Sequence, residues 1–323
     1  MDLDLDDIID YVIEVAPSCL TLAEVGRKVN DDLEHIEWSD DTWRGKWKAF
    51  PEYRIQIQRL LGGDYYTGQP RNGIVTLEGN WHGAIVSDIH SPFHDAEAIK
   101  LAAAVIKWWN PNILIYNGDD LDCYLLSVFD KNPSRALNLQ GEIDLWHQEA
   151  TAPLNRAAGS NCRKIKLLGN HEHRFRKVLW KNPGLYGLRA LEWPALLGLP
   201  ERGMDFVEMS VRFNKTLEVT HGERVNKWSG MSAKAESEKR RYSISTATGH
   251  VHRSGRFDTW TINGHIQAQE IPCLMDLSPE YMTEPDWVQG LTLFDVKDGH
   301  LYLESIKFND DYSCFAGKDW LYL

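Results

Sequence analysis

Five short blocks of carboxylate, amide and imidazole side chains follow one another along the sequence. Each block ends or directly follows an apolar run that is typical of a buried strand. The blocks are Asp88-Ile-His90, Gly118-Asp119-Asp120-Leu-Asp122, Gly169-Asn170-His171-Glu172, Thr220-His221-Gly222 and Gly249-His250-Val251-His252. Strand ends in an α/β sheet gather ligands into one crevice. Oxygen and imidazole donors without thiolate are the composition of a hydrolytic site with two metal ions.

Taken singly, these blocks are weak evidence for a site. Asp-x-His is commonly a surface pair, Gly-Asp and Gly-Asn-His often mark turns, and a lone histidine such as His221 is more often a core residue. The last block is stronger, because alternate residues of an extended segment point to one side and give His250 and His252 a common direction. It is the complete ordered set that predicts the metal site.

With all five blocks in place, the sequence resembles the calcineurin-like metallophosphoesterases from about Gly83 to its C-terminus. The signature of that family runs Asp-x-His, Gly-Asp-x-x-Asp, Gly-Asn-His-(Asp/Glu), His and Gly-His-x-His. The resemblance implies a dinuclear metal centre in which Asp119 bridges the two ions. It implies two further sets of ligands, which are Asp88, His90 and His252 for one ion and Asn170, His221 and His250 for the other.

The resemblance also implies that His171 is the catalytic imidazole and that Asp122 orients it. Two divalent ions about 3.5–4 Å apart would neutralise phosphate oxygens and bring the pKa of a bridging water towards neutrality. A protonated His171 would stabilise charge on the phosphate or protonate the departing oxygen. The mixed oxygen and nitrogen ligands suit Mn²⁺, iron or Zn²⁺, and manganese is the metal we expect.

Residues beside the motifs narrow the branch of the family. Cys123 follows Asp122, where serine/threonine protein phosphatases carry an arginine that grips phosphate, and this weakens a protein-phosphatase interpretation. Arg174 and Arg176 lie just past the catalytic histidine and are expected to contact substrate phosphates. Asp120 fits either a partner of a metal ligand or a solvated neighbour.

The charge distribution indicates the kind of substrate. The net charge of −12 opposes a nucleic-acid partner, but residues 1–80 hold 16 acidic and 8 basic side chains and so account for −8 of it. Residues 163–189 carry +7, and a second basic stretch lies within residues 224–241. Two basic stretches that bracket the site predict a polyanionic substrate.

We therefore expect a phosphodiesterase or nuclease that acts on nucleic acid. The alternative is a phosphomonoesterase that acts on a nucleotide, a small phosphoester or a phosphoprotein. A binding protein that keeps the fold without turnover is a third class, which the intact ligand set disfavours.

Residues 1–72 predict a small, acidic, all-helical N-terminal domain, and the Gly-rich stretch 62–73 marks its boundary. Part of it weakly resembles a helix-turn-helix, so it either packs as a structural module or contacts protein or DNA. Its three tryptophans, Trp38, Trp43 and Trp47, fit a core better than a partner surface. The predicted helices are Asp6–Val15, Thr21–Val29, Asp40–Phe50 and Glu52–Leu61.

Residues 73–323 predict an α/β domain with the metallophosphoesterase fold. Strand and helix patterns alternate up to His221, and β-rich sequence follows. This order favours a sandwich of two mixed β-sheets flanked by helices. The clearest elements are strands over Ala84–Ser87, Ile113–Asn117 and Ile165–Leu168, a helix over Ala96–Trp109, and one or two helices over Ser134–Ala158.

The N-terminus is acidic, has no basic region and no long apolar stretch, so we expect neither a signal peptide nor a membrane span, and a cytoplasmic location. The five cysteines are scattered without a Cys-x-x-Cys spacing. That pattern is typical of reduced thiols and not of a disulfide framework.

Overall fold

The structure of the protein is a computed structural model that describes residues 8, 11–12, 15–16, 22–33, 38–39, 42–43, 45, 73–135, 137–262, 264–278 and 284–323. The chain divides into two compact units, residues 1–70 and residues 71–323. Within the described ranges, no helix is both long and apolar enough to cross a bilayer.

The smaller unit holds helix α1, Leu22–Asp32. Val25 and Val29 lie four residues apart on one face of this helix and are fully buried. They belong to a small apolar cluster that includes Trp43, whose ring meets that of Trp38 edge-on with centroids 4.8 Å apart. The core role predicted for these tryptophans is confirmed for Trp43, which is 4% exposed.

Several predictions for this unit fall outside the described residues. They concern the helix Glu52–Leu61, Trp47 and most of the boundary stretch 62–73. The predicted helices Asp6–Val15 and Asp40–Phe50 are described only in part. The helix-turn-helix resemblance stays a prediction.

Strands and helices alternate along the larger unit. Its strands are β1 (Ile74–Leu77), β2 (Trp81–Val86), β3 (Ile113–Tyr116), β4 (Arg163–Leu167), β5 (Met204–Val207), β6 (Ser210–Phe213), β7 (Leu217–Thr220), β8 (Ser245–Thr248), β9 (Arg256–Thr261), β10 (Gly264–Glu270), β11 (Gly290–Lys297), β12 (His300–Lys307), β13 (Ser313–Ala316) and β14 (Asp319–Tyr322). Its α-helices are α2 (Ala96–Trp109), α3 (Leu139–Leu145), α4 (Ala152–Ala158), α5 (His173–Lys181), α6 (Trp193–Leu196) and α7 (Met231–Lys239). Short 3₁₀ turns span Tyr124–Leu126, Pro133–Arg135, Arg189–Leu191 and Pro200–Arg202.

The strands form two mixed sheets and a hairpin. The first sheet has the order β12-β11-β2-β3-β4-β5, in which β2 to β5 are parallel and β11 and β12 run antiparallel to their neighbours. The second sheet has the order β1-β6-β7-β8-β10-β9, with β7, β8 and β10 parallel. Strands β13 and β14 pair as a hairpin. The predicted sandwich of two mixed sheets is confirmed.

Alternate residues along the strands of the first sheet pack into two apolar cores, one on each face of the sheet. Ile85, Ile115 and Ile165 lie in one register row and join the apolar cluster that the second sheet shares. Val86 and Tyr116, on the opposite face, pack in the cluster that the helices share. Burial on both faces explains why these strands read as continuous apolar runs.

Helix α2 matches the predicted helix Ala96–Trp109 at both ends. The Asp95 carboxylate accepts hydrogen bonds from the amides of Glu97 and Ala98, at 2.9 and 3.0 Å, and so caps the first turn. Of the one or two helices predicted over Ser134–Ala158, the structure has two, α3 and α4, with a π-helical stretch, Trp146–Thr151, between them. Pro153 follows this stretch and has no N–H to continue the regular helical pattern, which accounts for the change of register.

Candidate metal centre

The predicted metal ligands, Asp122 and His171 all follow the carboxyl ends of strands, whereas Arg174 and Arg176 lie on α5. Three of these strands belong to the first sheet and two to the second, so the side chains converge from both sheets. The blocks at 88–90, 119–122 and 170–172 follow β2, β3 and β4, and those at 221 and 250–252 follow β7 and β8.

Five of the seven predicted metal ligands have left-handed backbone conformations. A non-glycine residue in this region carries a cost of roughly 1–2 kcal/mol, because its Cβ crowds the backbone. Such strain persists only where the surroundings impose it, and it collects at functional sites. The φ angles are 54° for Asp88, 52° for His90, 49° for Asp119, 72° for His250 and 56° for His252.

Asp88, His90 and His252 form the first cluster of ligand atoms, all within 4.8 Å of one another. His252 Nε2 lies 3.2 Å from Asp88 Oδ1 and 3.1 Å from His90 Nε2. All three residues are buried. One potential ligand atom from each residue therefore lies around a common point, as the ligands of one ion must.

Asp119, His221 and His250 form the second cluster. His221 Nε2 lies 3.2 Å from Asp119 Oδ2 and 3.0 Å from Asn170 Oδ1, which adds the predicted amide ligand. Asp119 Oδ2 is also 3.9 Å from His90 Nε2 in the first cluster. Asp119 thus lies between the two clusters, in the position expected of a bridging carboxylate.

Asp122 contacts two imidazoles with one oxygen. Its Oδ1 is 3.0 Å from Nδ1 of His90 and 3.0 Å from Nδ1 of His171. Nδ1 of His171 also lies 3.0 Å from the backbone oxygen of Asp122. The predicted orientation of His171 by Asp122 therefore has a geometric basis, and the same carboxylate orients His90 as well.

Arg174 and Arg176, the predicted phosphate contacts, occupy different surroundings. Arg174 donates to the backbone oxygen of Asp122 at 2.8 Å, and its other terminal nitrogen lies 3.0 Å from His171 Nε2. Arg176 instead forms an ion pair with Glu208 at 2.5 Å. Arg174 is thus at the edge of the centre, while the charge of Arg176 is already compensated.

The charges of the centre favour a bound cation. Asp88 and Asp119 are at most 1% exposed, and within the described part of the chain neither forms an ion pair with a lysine or arginine. Burial opposes charge on His90 and His221, but hydrogen bonds and charges from neighbouring aspartates outweigh it and raise the pKa of His90 to about 10 and that of His221 to about 9. Buried carboxylates need such compensation. Two divalent ions in place of these protons would fit the donor set.

A buried ion triad supports the loops that carry the ligands. Lys166, Asp120 and Glu172 are each 0% exposed, and Lys166 Nζ lies 2.8 Å from both Asp120 Oδ2 and Glu172 Oε1. Glu172 also accepts hydrogen bonds from the amides of Asp119, Asp120 and Gly169 at 3.0, 2.9 and 2.8 Å. Asp120 is therefore not a solvated neighbour, and the triad joins the second motif to the third.

Two of these supporting residues were missed by the motif analysis. Lys166 was counted in a basic stretch, although a lysine inside the apolar run Ile165–Leu168 is itself a signal of a buried partner. Glu142 of α3 is 1% exposed and accepts from the amides of Cys123 and Tyr124 at 2.7 and 2.9 Å, just past Asp122. Burial raises the pKa of Glu142 to about 8.

Close packing explains why two of the motifs contain glycine. A Cβ on Gly169 would lie 2.1 Å from Asp119 Oδ1 and 2.3 Å from the Asp119 amide nitrogen. A Cβ on Gly249 would lie 2.7 Å from Asp88 Oδ2. Any side chain at either position would displace a candidate ligand.

Part of the charge of the two basic stretches is buried or paired with carboxylates. Lys164 and Lys166 are buried, and five of the other twelve basic residues of these stretches form ion pairs outside the metal centre. The pairs are Arg163 with Asp205, Arg176 with Glu208, Lys234 with Glu238, Lys239 with Glu223, and Arg240 with Glu218 and Glu236. The basic residues without an ion pair among the described residues still leave a polyanionic substrate as a prediction.

The four cysteines in the described part of the chain are free and buried, as predicted for reduced thiols. Cys123, directly after Asp122, is 1% exposed, and burial raises the pKa of its thiol well above the usual value. It is a packing residue and not a nucleophile.

Comparisons with known proteins agree with this geometry. A sequence model described as calcineurin-like phosphoesterase matches residues 84–254, more than half of the chain. No curated protein matches the sequence significantly. Among solved structures, a dimetal phosphatase from Danio rerio has 12% identity and a TM-score of 0.39, over 70% of this chain and 95% of its own.

Two structures of Vps29 also align with the chain. Vps29 from Cryptosporidium parvum has 13% identity and a TM-score of 0.35, over 72% of this chain and 100% of its own. Vps29 from Entamoeba histolytica complexed with zinc has 11% identity and a TM-score of 0.31, over 71% and 99%. Scores this low carry no functional inference, so the evidence for a family is the match over residues 84–254.

Proposed function

The chain belongs to the calcineurin-like phosphoesterase family, and on that premise we propose that it hydrolyses phosphodiester bonds in nucleic acid. Membership of this family makes it a metal-dependent phosphoesterase. The hydrolytic part of the proposal is carried by one observation, which is that Asp119 lies between two ligand clusters with His171 beside it. The choice of a diester in nucleic acid is our proposal.

Each site residue has a role in this chemistry. Asp88, His90 and His252 would hold one ion, Asn170, His221 and His250 the other, and Asp119 both. Two divalent ions bound there would neutralise phosphate oxygens and lower the pKa of a bound water. We propose manganese as the metal, with iron or zinc as alternatives.

His171 would act as the general acid that protonates the leaving oxygen. Asp122 accepts a hydrogen bond from Nδ1 of His171, which fixes the tautomer of the ring. Nε2 of His171 is then directed towards Asp119, and it lies 3.9 Å from Asp119 Oδ2. In this geometry Nε2 accepts from Arg174, which has no acceptor atom, so Nε2 would hold a proton for an oxygen that departs from phosphorus only after Arg174 turns towards the phosphate. Arg174, next to Nε2, would supply positive charge to the phosphate.

Exposed aromatic side chains on three loops of the larger unit support a nucleic-acid substrate. Phe129, Tyr186 and Trp228 are 74%, 59% and 66% exposed and lie on loops that follow β3, α5 and His221. Lys227 Nζ lies 5.1 Å from the centroid of the Trp228 ring. Aromatic rings beside basic residues are how many proteins bind single strands, since bases stack on the rings.

The alternative function is a phosphomonoesterase that acts on a nucleotide, a small phosphoester or a phosphoprotein. It is favoured by the ion pairs that neutralise part of the two basic stretches. A polymer of phosphates gains most from unpaired cations, whereas a single phosphate held by two metal ions needs few.

The two functions separate in an assay with added manganese. The purified protein should hydrolyse the diester bis-p-nitrophenyl phosphate and cut single- or double-stranded DNA, and Asp119→Asn and His250→Ala should each abolish both reactions. His265→Ala is the matched control, because His265 is a histidine of the second sheet that pairs with Asp258 and contacts no candidate ligand. Its activity should equal that of the unaltered protein.

The outcomes distinguish the proposals. Hydrolysis of the monoester p-nitrophenyl phosphate alone, with DNA left intact, would refute the nuclease and support the phosphomonoesterase. If the folded protein hydrolyses neither ester with manganese, iron or zinc, phosphoester hydrolysis by this site is wrong.

A further inference from the structure

An exposed loop joins His221, a candidate ligand of the second cluster, to helix α7. We call residues 223–229 the α7 loop, and all seven of them are exposed. The guanidinium of Arg253, next to the candidate ligand His252, donates to the backbone oxygen of Asn226 at 2.8 Å. The α7 loop therefore lies beside both of the ligand blocks that follow β7 and β8.

Buried carboxylates hold the backbone and one side chain of the α7 loop at its two ends. Glu236, which is 1% exposed, accepts hydrogen bonds from the amides of Glu223 and Arg224 at 3.0 and 3.1 Å. At the other end, the hydroxyl of Ser229 donates to the fully buried Glu270 at 3.2 Å. Because the loop is already ordered, a ligand would lose little affinity to the conformational entropy of ordering it.

The exposed side chains of the α7 loop carry unpaired positive charge. Arg224 and Lys227 form no ion pair with a carboxylate of the described ranges. Glu223, the single acidic residue of the loop, is already paired with Lys239 at 2.5 Å. The charge that the loop offers to a ligand is therefore positive, and it complements an anionic partner.

Trp228 adds an aromatic surface to this charge. It is 66% exposed, and Lys227 Nζ lies over its ring, 5.1 Å from the centroid. The backbone oxygen of Trp228 accepts from the amide of Met231 at 3.1 Å, which fixes the residue at the start of α7. An exposed indole beside unpaired cations is a surface on which a nucleic-acid base stacks while the cations hold the phosphates of its strand.

A single strand suits this surface better than a duplex does. Inside a duplex both faces of a base are covered by its neighbours, so a side chain outside the helix cannot stack on them. In a single strand the bases are free to stack on an aromatic ring. We infer that the α7 loop binds the single strand that carries the scissile phosphate, with an unpaired base on Trp228 and phosphates on Arg224 and Lys227. The inference rests on the proposed function and narrows its substrate from nucleic acid to unpaired strands.

Binding of a labelled, unstructured DNA strand of about 20 nucleotides, followed by fluorescence anisotropy with manganese present, tests this inference. Every protein in the series also carries His171→Ala, which keeps the candidate metal ligands and slows cleavage during the measurement. Trp228→Ala should weaken binding about 10-fold, because one base loses its stacking partner.

Trp260→Ala is the matched control for Trp228→Ala. Trp260 is 80% exposed, but it pairs with His265 near the start of β10, at the end of the second sheet that is remote from the ligand blocks. Its replacement should leave the affinity for the strand unchanged.

The salt dependence of the same binding tests the two cations. Each phosphate contact to a single strand contributes about 0.7 to the slope of log K against the logarithm of the salt concentration. Arg224→Ala and Lys227→Ala should each reduce the magnitude of the slope by about that amount. Lys215→Ala, which removes an exposed lysine from the turn between β6 and β7, should not change it. Unchanged slopes in both loop variants would contradict the inference.

The duplex formed from the same strand separates unpaired from paired substrates. Trp228→Ala should leave the affinity for the duplex unchanged, since no base there is free to stack. An equal loss for duplex and single strand, or equal affinities of Trp228→Ala and Trp260→Ala for the single strand, would overturn the inference.

These binding measurements need no turnover, so they separate the α7 loop from the proposed hydrolysis. If the unaltered protein cuts DNA but Trp228→Ala binds the strand as tightly as Trp260→Ala does, the loop is refuted and the hydrolysis stands. If Trp228→Ala binds the strand more weakly but the unaltered protein cuts no DNA, strand binding by the loop is supported and the proposed hydrolysis is refuted.

Discussion

Replacement of Lys166 by methionine should destabilise the larger unit more than the same replacement of Lys164, the other lysine of β4. Methionine keeps the shape of the aliphatic stem but removes the ammonium group, which lies 2.8 Å from Asp120 and 2.8 Å from Glu172. All three residues are 0% exposed, so no water replaces the lost charge. Two carboxylates would remain buried without a counter-charge.

The size of the effect follows from the burial of the triad. Removal of one partner from a buried ion pair costs about 3–5 kcal/mol. In a unit the size of residues 71–323, each kcal/mol lowers the melting temperature by roughly 2–4 °C, so we expect a fall of roughly 6–20 °C. Since Glu172 holds the amides of Asp119 and Gly169, the number of bound metal ions should fall as well.

Lys164→Met is the matched control, measured by thermal and denaturant unfolding. Lys164 is on the same strand and is 7% exposed, but among the described residues its ammonium donates only to the backbone oxygens of Gly159 and Cys162, both at 2.7 Å. Its loss should cost about 1–3 kcal/mol. Addition of Asp120→Asn to Lys166→Met should restore part of the stability. If Lys166→Met unfolds no more readily than Lys164→Met, the triad does not join the motifs as we describe.

Three further predictions concern residues around the ligands. Asp122→Ala should lower kcat by about 100- to 10,000-fold, because both imidazoles that Asp122 orients lose their acceptor; an unchanged kcat would show that it orients neither. Burial raises the pKa of Glu142 to about 8, above its unfolded value of 4.5, so its contribution to stability is present below pH 4.5 and is lost as the pH rises through about 8. Glu142→Gln should therefore flatten the fall of the denaturant midpoint across that range. Gly169→Ala should reduce the bound metal measured by atomic emission, because its Cβ would displace the Asp119 carboxylate, whereas Gly184→Ala, with nothing within 4 Å, should not.

The ligand set could be predicted from sequence because its information is local. Each block directly follows an apolar run, and the carboxyl ends of parallel strands lie side by side. Helix α2 was predictable to both ends for a similar reason, since Asp95 and Asn110 occupy positions that start and stop helices. Such features depend on neighbours within a few residues.

The charge pairs could not be predicted, because they depend on the tertiary fold. Arg176 and Glu208 are 32 residues apart, and Arg240 and Glu218 are 22 apart, so a count along the chain leaves them as free charges. The partners of Lys166 could not be predicted for the same reason, since Asp120 and Glu172 lie on loops after two different strands. The charge count along the basic stretches therefore overstates the charge that is free to meet a substrate.

The origin of the ligands in both sheets makes metal capture a late event in folding. Asp88 and His252 are 164 residues apart, and contacts of such long range form only after the chain between them has been ordered. A nascent chain that ends before His252 lacks a ligand of the first cluster. An ion bound by ligands from both sheets would stabilise the folded state. At a free metal concentration of 100 times its Kd, it would add about 2.7 kcal/mol to the free energy of unfolding. The protein would gain its metal last, and would have to release it before the sheets can part.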